Sequence, residues 1–416
     1  MKSVSAHIVD ARSIENRLLE LSSSRSFFAL YTSRGYPNSH KKYELVFGWG
    51  VAQQHGAEDL STGGFESGWK FGYLGYDMRH RFEKLHKGNP ALGDWPEALF
   101  FTPNIAGTLS PEGELVIYAE SEAQAKQALM SILQPASLSN GPTSLEFKPV
   151  ETKEEYLEAI HDLQGHIQRG DIYEINYCTA FVAKIEKLDQ VHLFRKMVSA
   201  TDAPFSGYLK LGTHSLLCSS PERYITKQGR HVLSQPIKGT NRRLLKGNAT
   251  AQKALRDSEK ERAENVMIVD LVRNDLSHVA SKGSVRVSEL FGTYAFKNVN
   301  QMISTVEASL RESVSNWDII QATFPMGSMT GAPKISAMQL AERYEKTARE
   351  IYAGAVGYLE PNGDFDLNVV IRSVAINQKL ERATVHVGGA ITILSDPESE
   401  YQECLLKAES LLNSSL

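Results

Sequence analysis

Alternation of apolar and polar positions divides the chain unevenly. Up to residue 135 it offers short apolar runs, SFFALYTS (26–33) and YELVFGWGV (43–51), then the glycine-rich GWKFGYLGYDMRH (68–80). QPASLSNGPTSLEFKP (134–149) breaks this pattern with Pro, Ser, Asn and Gly, the composition of a surface connection. It separates an N-terminal region, 1–135, from a C-terminal region, 150–410. Beyond it the periodicity sharpens. Tyr156, Ile160, Leu163 and Ile167 recur at helical spacing over 152–169. Thr152 with Glu155 has the form of a capping box, and Gly170 supplies the stop. IYEINYCTAFVAKI (172–185), SGYLKLG (206–212) and HSLLCSS (214–220) alternate as strands. Residues 251–272 predict one long helix with Leu255, Ala263, Val266, Met267, Val269 and Leu271 inward, and 334–346 predict another after Pro333. AGAVGYLE (353–360), FDLNVVIRSVAI (365–376) and ATVHVGGAITI (383–393) read as strands, and SEYQECLLKAESLL (399–412) as a helix. Hairpin-like strand pairs followed by helices predict an α+β fold with antiparallel sheets, not a doubly wound one.

Composition narrows the function classes. The 416 residues are 42% hydrophobic with a formal net charge of −4, enough chain for a large core. That charge balance gives no support for a nucleic-acid or membrane-surface partner. The opening MKSVSAHIVDARSIENRLLE lacks the unbroken apolar core of a signal peptide, and no apolar run reaches the length of a membrane span. Cys178, Cys218 and Cys404 are far apart and form no C-x-x-C, so neither a zinc site nor a disulfide framework is expected. A reducing, cytoplasmic setting is the default expectation.

Two carboxylate pairs then stand out. Glu261 and Glu264 lie three apart in DSEKERAENVMIVDLVRNDL, and Glu400 and Glu403 lie three apart in DPESEYQECLLKAESLL. Residues at that spacing share a helix face. Four carboxylates converging on one point are costly unless a cation sits there, and oxygen ligands alone suit Mg²⁺. A single E-x-x-E pair is more often a solvated face. Glu264 borders the apolar run VMIVDLV, and the second pair follows the glycines of HVGGAITILSDPE, which favours the metal reading. FPMGSMTGAPKISAMQL carries Ser328 and Thr330 in a glycine-punctuated turn that could offer N–H groups to an anion, without Walker spacing. Gly388 and Gly389 would let backbone approach a ligand. Arg372, in the apolar VVIRSVA, is equally an internal ion-pair partner or a clamp for a ligand carboxylate. Lys238, in SQPIKGTNRR (234–243), reads on its own best as a solvated surface charge beside Arg242 and Arg243.

Together the segments SSPERYI, QPIKGT, DSEKERAENVMIVDLVRNDL, FPMGSMTGAPKISAM, IYAGAVGYL, FDLNVVIRS, VGGA and DPESEYQEC resemble the chorismate-utilising enzymes, in unbroken order over about residues 150–410. That family includes anthranilate synthase component I, aminodeoxychorismate synthase component I, isochorismate synthase and salicylate synthase. The resemblance implies a single α+β unit of two large antiparallel sheets packed as a sandwich, helices outside, with the active site in a cleft. The first 135 residues resemble the family weakly and are short for it. Lys238 in P-I-K-G-T is similar to the aminodeoxychorismate synthase branch, whereas anthranilate synthases carry alanine there. Asn176 is read as standing where water-adding members carry a lysine base. Both imply amination at C4 without pyruvate loss.

The resemblance further implies that Lys238 attacks C2 of chorismate and that Glu222 protonates the departing C4 hydroxyl. It implies Glu264 and Glu403 as Mg²⁺ ligands with Glu261 and Glu400 beside them. Tyr352, Arg372, Gly388, Gly389 and Ala390 match substrate-carboxylate positions, and Gly239 and Thr240 line the cleft. A nucleophilic Lys238 must be neutral, so the expectation is an amine in a setting with little counter-charge, where burial can lower its pKa from about 10.4 by up to roughly 3–5. One position departs from the pattern. Gln301 in VNQMIST stands where the family usually has histidine, and it can hydrogen-bond substrate but not act as an acid. No cysteine has the glycine-flanked setting of a glutaminase nucleophile, so ammonia is expected from a glutamine amidotransferase subunit. A separate lyase would then complete 4-aminobenzoate for folate. The alternatives are anthranilate or isochorismate/salicylate synthesis, opposed by Lys238 and Asn176, and a non-catalytic regulatory subunit, opposed by the intact Lys238, Glu222 and four glutamates.

Overall fold

Strands that are apolar on both faces must be covered on both faces, and this requirement organises the molecule. Along Phe27–Thr32, Phe28 and Leu30 join one apolar cluster while Ala29 and Tyr31, on the opposite face, join another. The computed structural model describes residues 1–36, 40–85, 88–138 and 140–412. Among them, one antiparallel sheet runs in the order Lys2–His7, Glu114–Ala119, Ile105–Leu109, Leu45–Trp49, Phe27–Thr32, Phe205–Leu211, His214–Ser220, Ser373–Asn377, Arg382–Ile391, Glu174–Lys184, Gly331–Ala332. A second runs Ile237–Arg242, Val299–Ser309, His231–Gln235, Arg223–Gln228, Phe365–Val369, Ala355–Leu359, Lys70–Leu74, Ala98–Thr102, Gln53–Gly56, with Arg286–Ala295 also paired to Val299–Ser309.

Three apolar clusters fill the layers. Trp69, Phe71, Phe101, Leu209, Leu216 and Val356 draw on both sheets and form the filling of the sandwich. Helices Ala11–Ser22, Lys153–Arg169 and Gln190–Thr201 cover the outer face of the first sheet through residues such as Leu18, Ile160 and Phe194. Helices Glu259–Ser277 and Asn316–Thr323 cover the second through Ile268, Val272, Ile319 and Ile320. The expected α+β sandwich with helices outside is the observed one. Each sheet takes strands from both sides of residue 150, joined where Phe27–Thr32 pairs with Phe205–Leu211 and where Lys70–Leu74 pairs with Ala355–Leu359. Within the connection at 134–149, Ser139 lies outside the described residues, and the others carry only the short strand Lys148–Pro149. Among the described residues, no helix is long and apolar enough to cross a membrane.

Helix Lys153–Arg169 has the expected Thr152–Glu155 capping box and a left-handed Gly170 at its end. Two other elements differ from the sequence reading. The helix expected over 251–272 is two helices, Asn248–Asp257 and Glu259–Ser277, because Ser258 leaves the helical region and its hydroxyl caps the second by accepting from the Glu261 N–H. Its buried stripe is Asn265, Ile268, Val269, Val272, Asp275 and Leu276, while Ala263 and Val266 face solvent. FDLNVVIRSVAI is likewise two strands, Phe365–Val369 in the second sheet and Ser373–Asn377 in the first. The chain crosses between sheets through Arg372, whose φ is 52°.

A buried ion pair ties strand Glu174–Lys184 of the first sheet to the turn Gly327–Met329. The Arg349 guanidinium, 1% exposed, donates to both oxygens of Glu345 at 2.6 and 3.0 Å. It also donates to the carbonyls of Met329 and Asn176, each at 2.7 Å. Removing one partner of such a pair strands the other charge. Arg349→Met is therefore expected to lose about 3–5 kcal/mol in chemical denaturation. Arg81→Ala, which breaks half-exposed pairs with Glu58 and Glu97, should stay within about 1 kcal/mol of the parent.

Candidate active site

The edge strand Ile237–Arg242 pairs with Val299–Ser309, but its register slips between Ile237 and Thr240. The irregularity falls at Lys238 and Gly239, and such bulges re-aim side chains. Gly239 has φ +95°, and a Cβ there would meet Glu261 Oε2 at 2.8 Å, so the position excludes larger residues. The bulge turns Lys238 into a cleft of about 270 Å³. Lys238, Gly239, Thr240, Gln301, Asn176, Glu222, Ser328, Tyr352, Arg372, Gly388, Gly389, Ala390, Glu261, Glu264, Glu400 and Glu403 all line it. One expected residue does not. Thr330 is 1% exposed and its hydroxyl donates to the Gly327 carbonyl at 3.2 Å, which serves the turn and not the cleft.

Lys238 is not the solvated surface charge that its local sequence favours. Its side chain is 10% exposed, and Nζ donates to Glu174 Oε1 at 2.7 Å. Its protonation also differs from the expectation of a lowered pKa. Burial, the largest single influence, pushes the ammonium down, but Glu174, Glu264 and Glu222 together hold it above the ordinary lysine range. The sequence reading assumed little counter-charge and missed Glu174. Glu174 lies two residues before Asn176 on strand Glu174–Lys184, so strand alternation puts both on one face.

Glu222 sits at the start of strand Arg223–Gln228, 5% exposed. Burial pushes its carboxyl up to about 7, against the opposing effects of the Ser328 hydroxyl, Lys238 and the Ile237 N–H. Ser328 Oγ donates to Glu222 Oε1 at 2.6 Å. The glycine-punctuated turn Gly327–Met329 thus commits its hydroxyl to a carboxyl group and not to a free anion. Glu222 is poised to carry a proton near neutral pH, the state a general acid needs.

The two glutamate pairs come from helices Glu259–Ser277 and Pro397–Leu412, as their spacing predicts. Burial pushes Glu264 up to about 7 and raises Glu261 and Glu400 as well. Glu403 differs: burial is its largest influence, yet Lys407 at 2.7 Å and Arg372 outweigh it and hold the carboxyl low. Lys260 Nζ comes within 4.0 Å of Glu264. Among the described residues no three acidic, His or Cys side chains are gathered tightly enough to enclose an ion themselves. The donor set is all oxygen and under-compensated, the type that could hold a hard divalent cation completed by water and ligand oxygens.

The opposite wall is backbone. Cys178 and Asn176 face Gly388 and Ala390 across adjacent strands. A Cβ at Gly388 would meet the Tyr177 carbonyl at 2.7 Å and Cys178 Sγ at 2.8 Å, so glycine keeps this wall flat. Lys407 Nζ donates to the Gly388 carbonyl at 2.7 Å. Asn176 Nδ2 turns to Cys178 Sγ at 3.2 Å. His386, which the sequence reading passed over, also lines the cleft and stacks on Tyr352 with centroids 5.3 Å apart. Burial pushes the imidazole down to about 4, so it is neutral, and Nε2 has no partner. A lone histidine beside two glycines in an apolar strand was the available signal. Gln301 Oε1 is buried and likewise without a partner.

Comparison with known proteins fits this arrangement. The model of the chorismate binding enzyme family matches residues 42–413. Aminodeoxychorismate synthase component 1 of Salmonella typhimurium is 36% identical over 83% of this chain and 76% of its own length. The Escherichia coli protein of that name is 33% identical over 85% of this chain and 78% of its own. A probable chloroplastic aminodeoxychorismate synthase of Oryza sativa is 33% identical over 82% of this chain, which spans only 42% of that longer relative. In fold, the chain is similar to anthranilate synthase component I of Streptococcus pneumoniae, with a TM-score of 0.80 and 23% identity over 91% of this chain and 95% of that one. The Escherichia coli menaquinone-specific isochorismate synthase superposes with a TM-score of 0.77 at 18% identity, over 99% and 94%. A family match over most of the chain, with relatives 33% and 36% identical across more than four fifths of it, shows that the chain belongs to the chorismate binding enzyme family.

Proposed function

We propose that this chain aminates chorismate at C4 to give 4-amino-4-deoxychorismate, the activity named for its Salmonella and Escherichia coli relatives. The observation that carries the reading is Lys238 Nζ buried in the same cleft as Glu222, a carboxyl pushed up to about 7. As a neutral amine, Lys238 adds to C2, both double bonds of the ring diene shift one place round the ring, and the C4 hydroxyl leaves as water with the proton of Glu222. Ammonia then adds at C4, both double bonds shift back, and the lysine amine leaves C2. Arg372, Tyr352 and the backbone of Gly388, Gly389 and Ala390 receive a substrate carboxylate, and Asn176, Gly239, Thr240 and Gln301 line the remaining walls. Mg²⁺ would be held by Glu264 and Glu403 with Glu261 and Glu400 beside them, and when bound it supplies positive charge facing the ring carboxylate.

The nitrogen comes from outside the chain. Cys178, Cys218 and Cys404 are all buried, and burial pushes each thiol up, the reverse of what a thiolate nucleophile requires. A glutamine amidotransferase subunit is the matching source, in keeping with the words "component 1" in the relatives' names. The product would pass to a lyase for 4-aminobenzoate and folate.

Incubation with chorismate, Mg²⁺ and ammonium, followed by chromatography, should give aminodeoxychorismate, and Lys238→Ala should abolish it. Anthranilate or isochorismate as the main product would sink the proposal. The pH profile gives a second check. Glu222 must enter protonated, so kcat/KM for chorismate should fall about tenfold per pH unit above a pKa near 7. The Ser328 hydrogen bond favours the charged carboxylate, so Ser328→Ala should move this limb to higher pH. Glu264→Gln should raise the Mg²⁺ concentration for half-maximal rate by at least about tenfold, the scale of loss at supported metal sites.

A further inference from the structure

We propose that Glu174 is the base that takes the proton from Lys238. The inference rests on the nucleophilic role of Lys238 given above. Nζ must shed a proton before it can attack, and the structure holds it against a single carboxylate oxygen, Glu174 Oε1, at 2.7 Å. Three carboxylates face the ammonium: Glu174, Glu264 and Glu222. Glu222 is bound by Ser328 and the Ile237 N–H, and its work is to give a proton, not to take one. Glu264 is drawn to the cation side of the cleft, where Lys260 and Glu261 are its neighbours. Glu174 has no such competing commitment. It is 1% exposed, and its other oxygen, Oε2, is buried without a partner. Taking a proton would therefore disturb no hydrogen bond of this carboxyl other than the one to Lys238 itself.

The step balances. The Lys238 ammonium and the Glu174 carboxylate become a neutral amine and a neutral carboxylic acid. The amine lone pair then forms the bond to C2, the C4–O bond breaks, and the hydroxide leaves as water with the proton of Glu222. Glu174 returns its proton when the lysine amine is released. Once substrate covers the cleft, a neutral acid–amine pair is less costly to hold dry than an ion pair.

A purely charge-compensating Glu174 gives the opposite expectation, which makes the test decisive. Lys238 adduct formation would be followed by mass spectrometry after chorismate is added without ammonia, from pH 6 to 10. If Glu174 is the base, Glu174→Gln slows the adduct by about 100-fold or more at pH 7.5, the scale of general-base catalysis, and its rate climbs with pH as hydroxide replaces the lost acceptor. If Glu174 only balances charge, removing it lowers the lysine pKa and Glu174→Gln forms adduct as fast or faster, which overturns the proposal. Glu174→Asp keeps the charge but withdraws it by one methylene. Tenfold slower adduct is expected, and the parent rate would overturn the proposal even if the glutamine variant did not fold. A parent protein that forms aminodeoxychorismate but no adduct would refute the lysine mechanism instead, and one that makes no aminodeoxychorismate would refute the proposed function.

Discussion

The buried guanidinium of Arg349 is the interaction on which the cleft depends. It spends its donors on Glu345 and on two main-chain carbonyls, Asn176 in the first sheet and Met329 in the turn that presents Ser328. Glu345 in turn accepts the Cys178 N–H at 3.1 Å. One planar cation therefore fixes the strand carrying Glu174 and Asn176 relative to the turn whose serine polarises Glu222. Arginine suits this because its fork of donors is rigid and permanently charged. Neither residue lines the cleft, yet the joint holds two of its walls, the strand that carries Glu174 and the turn that carries Ser328, against each other.

Much of the fold was legible because the pattern reports burial. Strands read correctly wherever alternation or a short apolar run ended at a turn signal, and helix Lys153–Arg169 carried its own start and stop. What was illegible shares a physical cause. In FDLNVVIRSVAI the residues before and after the crossing are equally apolar, because both sheets bury both faces, so periodicity cannot show that the chain changes sheets at Arg372. The break at Ser258 was legible in principle as a cap three residues before Glu261, but a continuous apolar stripe outweighed it.

The site was legible in its parts but not in its electrostatics. Residues from distant segments meet in one cleft, as the resemblance implied, with Thr330 the exception. The protonation of Lys238 came out reversed because a neighbour list cannot be read from local sequence. Ile237 and Gly239 made the lysine look poorly compensated, while its partner lies 64 residues away on another sheet. Glu174 was visible only as one more polar residue in an alternating strand. Its significance comes from the register slip that aims Lys238 across the gap.

The charges in the cleft also argue about what it can accept. Glu174, Glu222, Glu261, Glu264, Glu400 and Glu403 face Lys238, Lys260, Arg372 and Lys407. Glu222 and Glu264 are both lifted to about 7, so between four and six carboxylates oppose the four cations, and the site has no net positive charge to offer a ligand. A dianion such as chorismate would add two more negative charges to a poorly hydrated space. Burial already lifts Glu264 to about 7, with Glu174 and Glu261 adding to it and Lys238 and Lys260 opposing. A divalent cation held on the glutamate side would remove that conflict and would leave Arg372 free to meet the other carboxylate. Its charge on that side would also weigh against an ammonium at Lys238, favouring the neutral pair with Glu174 that attack requires. Under the proposed mechanism, substrate entry and nucleophile activation would then be one electrostatic event, because the carboxylates that oppose an anion in the empty cleft are the ones that would hold the cation it needs.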